Sequence, residues 1–284
     1  MIIAVLWSLP VFPVCASSDD SATPSSTRDA TALDEPFRLP KPSINDLDEG
    51  FALAANEPIY FVVGGNLDNA ARLQYSFQYR IFDKDSSLVQ NWPWLERMHF
   101  GYTQTLLWDL LGDSAPFTDS SHRPSFYWQS IGDNDGTTPD FLRIGYEHES
   151  NGKEGVTSRS VDSAFFHPGW LFHHGEQQLL IAPRFRFTIA KSGNNRDIDD
   201  FHGHVALYAR YGNEASWVAS ALLRQGAGRK RSVQLDISYP LRKPIFARTG
   251  GFFYVQLFHG YGETLLTYDQ HSGTQVRIGL AIVR

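Results

Sequence analysis

Alternation of apolar and polar residues along short segments most limits what this chain can fold into. From Arg72 to Phe82, one set of alternate positions is apolar, namely Leu73, Tyr75, Phe77, Tyr79 and Ile81. The same period of two recurs in Leu179–Ile189, in Val233–Tyr239 and in the last segment, from Gln275 to Ile282. Side chains of a β-strand point alternately to opposite faces, so each segment predicts a strand with one apolar and one polar face.

Further segments of this kind bring the prediction to roughly twelve strands, most near the ~10 residues that cross a bilayer at a tilt. They are Pro58–Gly64, Leu95–Leu107, Pro124–Ile131, Leu142–Ser150, Ser160–His173, Phe201–Tyr211, Ala215–Arg224 and Gly251–Gly260. No segment predicts a long helix, and no repeat of solenoid length is present. The predicted fold class is all-β.

Alternation alone does not separate a soluble barrel or sandwich from a membrane barrel. A helical membrane protein is excluded, because mean hydropathy is −0.30 and no run of about eighteen apolar residues exists. The polar faces are rich in charge, with Arg80, Arg143, Glu147, Arg184, Arg186, Asp236 and Arg277. Such residues opposite bulky aromatic ones favour the polar lumen of a transmembrane antiparallel β-barrel. Solvent-facing charges on a β-sandwich are the alternative, and the aromatic content of 14% suits both folds.

The domain organisation follows from composition. Residues 1–16 form a short apolar stretch ending in Val14-Cys15-Ala16, which predicts a signal peptide cleaved after Ala16. A lipoprotein at Cys15 is a weaker alternative, because Val14 is large where a small residue is expected. Residues 17–55 are mostly rich in Ser, Asp, Thr and Pro and predict a largely disordered leader, and residues 56–284 form the barrel domain. The net charge of −6 gives no reason to expect nucleic acid as a partner.

The stretch from Gly145 to Asp162, GYEHESNGKEGVTSRSVD, is the candidate catalytic segment. His148 and Ser150 share the apolar face of a predicted strand, with Cβ atoms roughly 7 Å apart. A turn centred on Gly155 sets Asp162 opposite His148 on that face. This arrangement supplies a nucleophile, a base and an acid that orients the base. Backbone N–H groups of the Asn151-Gly152 turn could bind an oxyanion, with Gly152 as the candidate. A register slip of one residue would send Asp162 to the other face.

The pattern H-x-S-N-G followed by T-S-R-S resembles the outer-membrane phospholipase A family of Gram-negative bacteria. Supporting stretches are GYTQ at 101–104, SAPF at 114–117, ISYP at 237–240 and GYGETLLTYD at 260–269. The resemblance implies an outer-membrane β-barrel enzyme that hydrolyses acyl esters of membrane phospholipids, with phospholipase A1, A2 and lysophospholipase activities. It also implies dependence on Ca²⁺ and activity as a homodimer. In the family the third member of the triad is usually Asn, whereas this chain has Asp162.

The resemblance also implies metal ligands. Lys153, through its carbonyl, and Ser158, through its hydroxyl, match one chain's contribution to a Ca²⁺ site, and Ser114 matches the carbonyl from the partner chain. An additional calcium site in the family uses an Asp in the loop after the seventh strand. This chain has Asn194 and Asn195 nearby, with Asp197, Asp199 and Asp200 as possible substitutes or as an ordinary solvated acidic loop.

Gln104 is the polar residue that interrupts an apolar strand face. An unsatisfied amide in hydrocarbon is costly, so Gln104 either lies near the lipid headgroups or bonds to a partner chain. The resemblance favours the second alternative. A non-enzymatic porin or structural barrel with the same fold is the main functional rival.

Overall fold

The computed structural model describes residues 52–65, 70–132, 137–241 and 251–284. The predicted signal peptide and most of the predicted leader lie outside these ranges. The strands are β1 (Leu53–Ala54), β2 (Ile59–Gly64), β3 (Ala70–Arg80), β4 (Met98–Asp109), β5 (Phe117–Ile131), β6 (Phe141–Ser150), β7 (Ser160–His174), β8 (Gln177–Lys191), β9 (Val205–Gly212), β10 (Val218–Gln225), β11 (Arg231–Pro240), β12 (Phe252–Tyr261) and β13 (His271–Val283). Two helices, α1 (Ser87–Asn91) and α2 (Ile198–His202), and 3-10 turns at Pro93–Arg97, Gly155–Thr157 and Gly193–Asn195 connect them.

The strands β2 to β13 form a closed antiparallel barrel of twelve strands. Each strand from β4 to β12 pairs with the strand that follows it in the chain. β13 pairs with β2, β2 pairs with β3, and β3 closes the ring on β4. The two-residue strand β1 pairs with β3, so pairing begins before the predicted boundary at residue 56. Closure leaves no unpaired strand in the ring, as a barrel in lipid requires.

The two faces of the wall confirm the transmembrane barrel over the β-sandwich. On β3, Ser76 and Gln78 are 0% and 4% exposed on the inside, whereas Tyr75 on the outside is 48% exposed. Charged side chains are also internal, since Glu147 and Arg277 are buried. A polar interior behind an apolar exterior is the inverse of a soluble fold and is typical of an outer-membrane barrel. In the described part of the chain, no helix is long and apolar enough to span a membrane.

Several predicted strand boundaries are wrong. β5 starts at Phe117, well before the predicted Pro124, and β10 starts at Val218 rather than at Ala215. Leu95 to Arg97 belong to a 3-10 turn that Pro93 begins, and β4 starts only at Met98. Phe201 lies in α2, and β9 starts at Val205. Leu95 and Phe201 are apolar residues of connecting segments, and alternation cannot distinguish such residues from the first residue of a strand.

Candidate active site on the outer barrel face

The hairpin of β6 and β7 has the register that the sequence predicted. His148 pairs directly with Asp162, and Ser150 pairs with Ser160 at the point where the strands leave the sheet. The partly exposed Tyr146, His148 and Ser150 alternate with the buried Glu147 on β6. The three therefore lie on the outer, lipid-facing wall together with Asp162.

A hydrogen bond joins the predicted base to the predicted acid. Nδ1 of His148 lies 2.7 Å from Oδ1 of Asp162, and the two side chains are 37% and 25% exposed. Because Nδ1 is engaged, Nε2 is the ring nitrogen left to serve Ser150. No hydrogen bond joins Ser150 to His148 among the described residues, and such contacts commonly tighten only when substrate is bound.

Asn151 closes the loop that follows the predicted nucleophile. It is 3% exposed, its amide donates to the carbonyl of Thr157 at 2.8 Å, and its side-chain oxygen accepts from the N–H of Arg159 at 2.9 Å. The next residue, Gly152, has a φ of +63°, a left-handed conformation that glycine adopts without steric cost. The loop therefore holds the Gly152 backbone beside Ser150 in a conformation that a side chain would disfavour.

The predicted calcium ligands lie in connections at the same end of the barrel. The Lys153 carbonyl and the Ser158 hydroxyl accept or donate no hydrogen bond within the described part of the chain, so both oxygens are available. Ser114, in the connection between β4 and β5, has a φ of +63° without being glycine. Such strain is concentrated at functional positions.

Asn194 is tied to the same loop. Its amide nitrogen donates to the carbonyls of Gly155 and Ser158 at 2.8 and 3.3 Å. The nearby carboxylates are engaged as well: Asp197 accepts from Tyr268, Asp199 from Thr188 and Lys191, and Asp200 lies 3.9 Å from Lys230. Among the described residues, no group of three His, Cys, Asp or Glu side chains could hold a metal ion.

Sequence comparison identifies the family. A family model described as phospholipase A1 matches residues 63–283. This chain belongs to the phospholipase A1 family. Phospholipase A1 of Proteus vulgaris is 30% identical over 190 residues, covering 64% of this chain and 60% of that protein. Putative phospholipase A1 of Neisseria meningitidis serogroup B is 27% identical over 221 residues, covering 74% of this chain and 53% of that protein.

The chain therefore spans about 60% of the length of the first of these curated relatives. Among solved structures, outer membrane phospholipase A of Escherichia coli superposes with a TM-score of 0.67 at 21% identity, covering 82% of this chain and 93% of that one. The Salmonella typhi outer membrane phospholipase dimer with bound calcium gives 0.66 at the same identity and coverage. These likenesses show the fold. With the family match, they confirm the resemblance and place this phospholipase A1 family member in a Gram-negative outer membrane.

Four polar side chains on the outer wall escaped sequence reasoning as a group: Tyr102, Gln104, Ser120 and His122, called here the polar quartet. The ring of His122 lies 2.9 Å from the Tyr102 hydroxyl and 3.0 Å from the Ser120 hydroxyl. Gln104 contacts Tyr102 and Ser120 at 3.4 Å each, so its amide finds partners within its own chain. His122 is the cross-strand neighbour of both Gln104 and Ser150, and its ring lies 3.6 Å from the position that a Cβ atom on Gly152 would occupy.

A small hydrophobic core supports the catalytic hairpin from inside the barrel mouth. Val161, Ile198, Leu265 and Tyr268 are buried together, with Phe201 packed against them. Arg159 of the catalytic loop lies over the ring of Tyr268 at 5.8 Å. Burial and the hydrogen bond to Asp197 raise the pKa of Tyr268, so this phenol stays protonated as a donor. The two segments that supply this core, α2 and residues 262–270, therefore fix the strand position next to Asp162.

Proposed function

We propose that this protein is a calcium-dependent phospholipase A that hydrolyses acyl esters of glycerophospholipids in the outer leaflet, with phospholipase A1, A2 and lysophospholipase activities. The observation that carries the proposal is the His148–Asp162 hydrogen bond on the lipid-facing wall, on the same strand face as Ser150. A soluble substrate would not require a catalytic group on that wall. Family membership supports the same chemistry.

The reaction assigns a role to each group. Oγ of Ser150 attacks the ester carbonyl while Nε2 of His148 takes its proton, and Asp162 stabilises the resulting imidazolium. The N–H of Gly152 donates to the oxyanion. The imidazolium then returns the proton to the departing alkoxide, which leaves a lysophospholipid and an acyl-Ser150. Water, deprotonated by His148, then attacks the acyl carbon; the bond to Oγ of Ser150 breaks, the imidazolium returns the proton to Oγ, and the fatty acid is released.

The proposed Ca²⁺ site draws on Ser158 and Lys153 of one chain and Ser114 of its partner, with Asn194 as a further candidate. Their hydroxyl and carbonyl oxygens match the hard oxygen ligands that Ca²⁺ prefers, and water would complete its shell of six to eight ligands. Asn194 fits less well, because its amide nitrogen faces the loop carbonyls. When bound, Ca²⁺ would polarise the ester carbonyl.

The proposed homodimer rests on the polar quartet and on the Salmonella relative, which was solved as a dimer with bound calcium. An amide has two donors and two acceptor sites, and Gln104 uses one of each, at 3.4 Å. A second copy placing its own quartet there would satisfy the remainder. Crosslinking in detergent should yield more dimer with Ca²⁺ than with chelator, and Gln104→Leu should lower that yield. Full activity of demonstrably monomeric protein in chelator would refute the dimeric site.

The barrel interior argues against the porin alternative. Ion pairs line the lumen, including Arg123 with Glu57 at 2.5 Å and Arg184 with Glu147 at 2.8 Å, and they surround a cavity of about 360 Å³. At the mouth, Leu265 is 2% exposed. Burial holds the pKa of His202 well below its ordinary value, so that ring is neutral. Paired charges and a buried connecting segment thus occupy the interior and one mouth of the barrel, where a porin needs an open channel.

Refolded protein in detergent provides the test of the proposed activity. Phospholipid hydrolysis should require Ca²⁺ and should disappear in Ser150→Ala, while the heat-dependent mobility of the barrel in gels stays unchanged. A sulfonyl fluoride should label Ser150 alone. More than a few per cent of activity in pure Ser150→Ala would exclude Ser150 as the nucleophile.

A further inference from the structure

The carboxylate of Asp162 has a second hydrogen-bond donor besides His148. The hydroxyl of Tyr146 donates to Oδ1 of Asp162, the same oxygen that Nδ1 of His148 contacts at 2.7 Å. Both contacts lie on the outer wall, where a carboxylate facing lipid is costly unless it is well paired. The phenol of Tyr146 therefore supplies a hydrogen bond that the Asp162 carboxylate needs in order to face lipid.

The position of Tyr146 follows from the hairpin. Tyr146 precedes His148 by two residues on β6 and points to the same face, while Asp162 pairs with His148. Tyr146 is thus the diagonal neighbour of Asp162, at a separation that a long aromatic side chain can bridge.

We propose that Tyr146 is a positioning residue for the catalytic base. It holds the carboxylate of Asp162 on Nδ1 of His148 and takes up part of its negative charge. This inference rests on the proposed function, because it assigns Tyr146 to the machinery that activates Ser150.

A purely structural role is the competing explanation. Tyrosine is common at membrane interfaces, where its ring is apolar and its hydroxyl is hydrated. Tyr79 is a matched control of that kind. It is 45% exposed, close to the 40% of Tyr146, and its hydroxyl has no hydrogen bond to another described residue.

If Tyr146 shares the charge of Asp162, its removal should shift the acid limb of kcat/KM in one direction, whereas loss of packing alone predicts no shift. Without the phenol, Asp162 presents more negative charge to the imidazolium that forms during proton transfer. In Tyr146→Phe the acid limb of kcat/KM should move up by about half a pH unit, and the plateau should fall about three- to tenfold. In an Asp162→Asn background, where the partner is neutral, the same substitution should leave the acid limb in place.

The experiment compares Tyr146→Phe with Tyr79→Phe, each made both in the unmodified chain and in the Asp162→Asn variant, after gel mobility confirms folding. The pH profile is measured by phospholipid hydrolysis and, separately, by the rate at which a sulfonyl fluoride labels Ser150. Equal shifts in both backgrounds, no shift in either, or the same effect from Tyr79→Phe would overturn the positioning role. Intact labelling without lipid hydrolysis would instead refute the proposed substrate, and the labelling profile would still decide the role of Tyr146.

Discussion

Replacing Asp162 by Asn tests the charge that distinguishes this chain from the usual Asn of its family. The contact to be altered joins Nδ1 of His148 and Oδ1 of Asp162 at 2.7 Å. Asn keeps an oxygen acceptor for the ring N–H but removes the negative charge. Ring orientation should survive, and only the electrostatic stabilisation of the imidazolium should be lost.

The magnitude depends on how strongly water screens the pair. Unit charges about 4 Å apart interact by about 1 kcal/mol in water and about 4 kcal/mol at an effective dielectric constant of 20. The side chains are 37% and 25% exposed, and the Tyr146 phenol shares the charge, so the lower end applies. A loss of about 1.4 kcal/mol corresponds to about one pH unit.

The direction in which the acid limb of kcat/KM shifts depends on which form of the His148 ring loses stabilisation. In Asp162→Asn the imidazolium loses the electrostatic stabilisation that the carboxylate gives it across the contact with Nδ1. The acid limb of kcat/KM should therefore move down by about one unit, while the variant remains substantially active. Asp162→Ala should lose more activity, because nothing then selects the tautomer.

The assay is hydrolysis of phospholipid in mixed micelles from about pH 5 to pH 9, with Ca²⁺ saturating at every pH so that metal binding does not distort the profile. Gel mobility confirms that each variant is folded. An acid limb that stays in place in Asp162→Asn would show that this carboxylate does not act on His148.

Three further outcomes are expected. Gly152→Ala should lower kcat at least tenfold. Gly155→Ala is the control: it has a similar φ of +59° and no atom near its Cβ position, so it should share the backbone strain of about 1–2 kcal/mol and keep most activity. Equal losses of activity in the two variants would exclude Gly152 from the oxyanion role. Leu265→Ala should destabilise the barrel mouth by about 2–5 kcal/mol in urea unfolding, unlike Leu111→Ala, whose side chain is 68% exposed; matching midpoints would contradict the supporting core. Ser158→Ala should raise the Ca²⁺ concentration needed for half-maximal hydrolysis without changing the acid limb, and an unchanged requirement would exclude this hydroxyl as a ligand.

Local patterns in the sequence were sufficient for the strands and for the catalytic hairpin. Period-two alternation is a property of neighbouring residues, so it specifies which face each side chain occupies. The pairing of His148 with Asp162 depends only on a short connection and on that alternation, and the predicted register is the one observed. The same reasoning was wrong at Leu95 and Phe201, where apolar residues in connecting segments mimic the start of a strand.

Tertiary structure alone decided which distant segments meet around the site. His122 faces Ser150 because β5 lies beside β6 in a register that the sequence of the proline-containing β5 segment does not indicate. Leu265 and Tyr268 pack on Val161, about a hundred residues earlier in the chain, because barrel closure brings their connections to one mouth. Contacts of this kind depend on strand order, closure and the path of loops, which are properties of the whole ring and leave no periodic signal in the sequence.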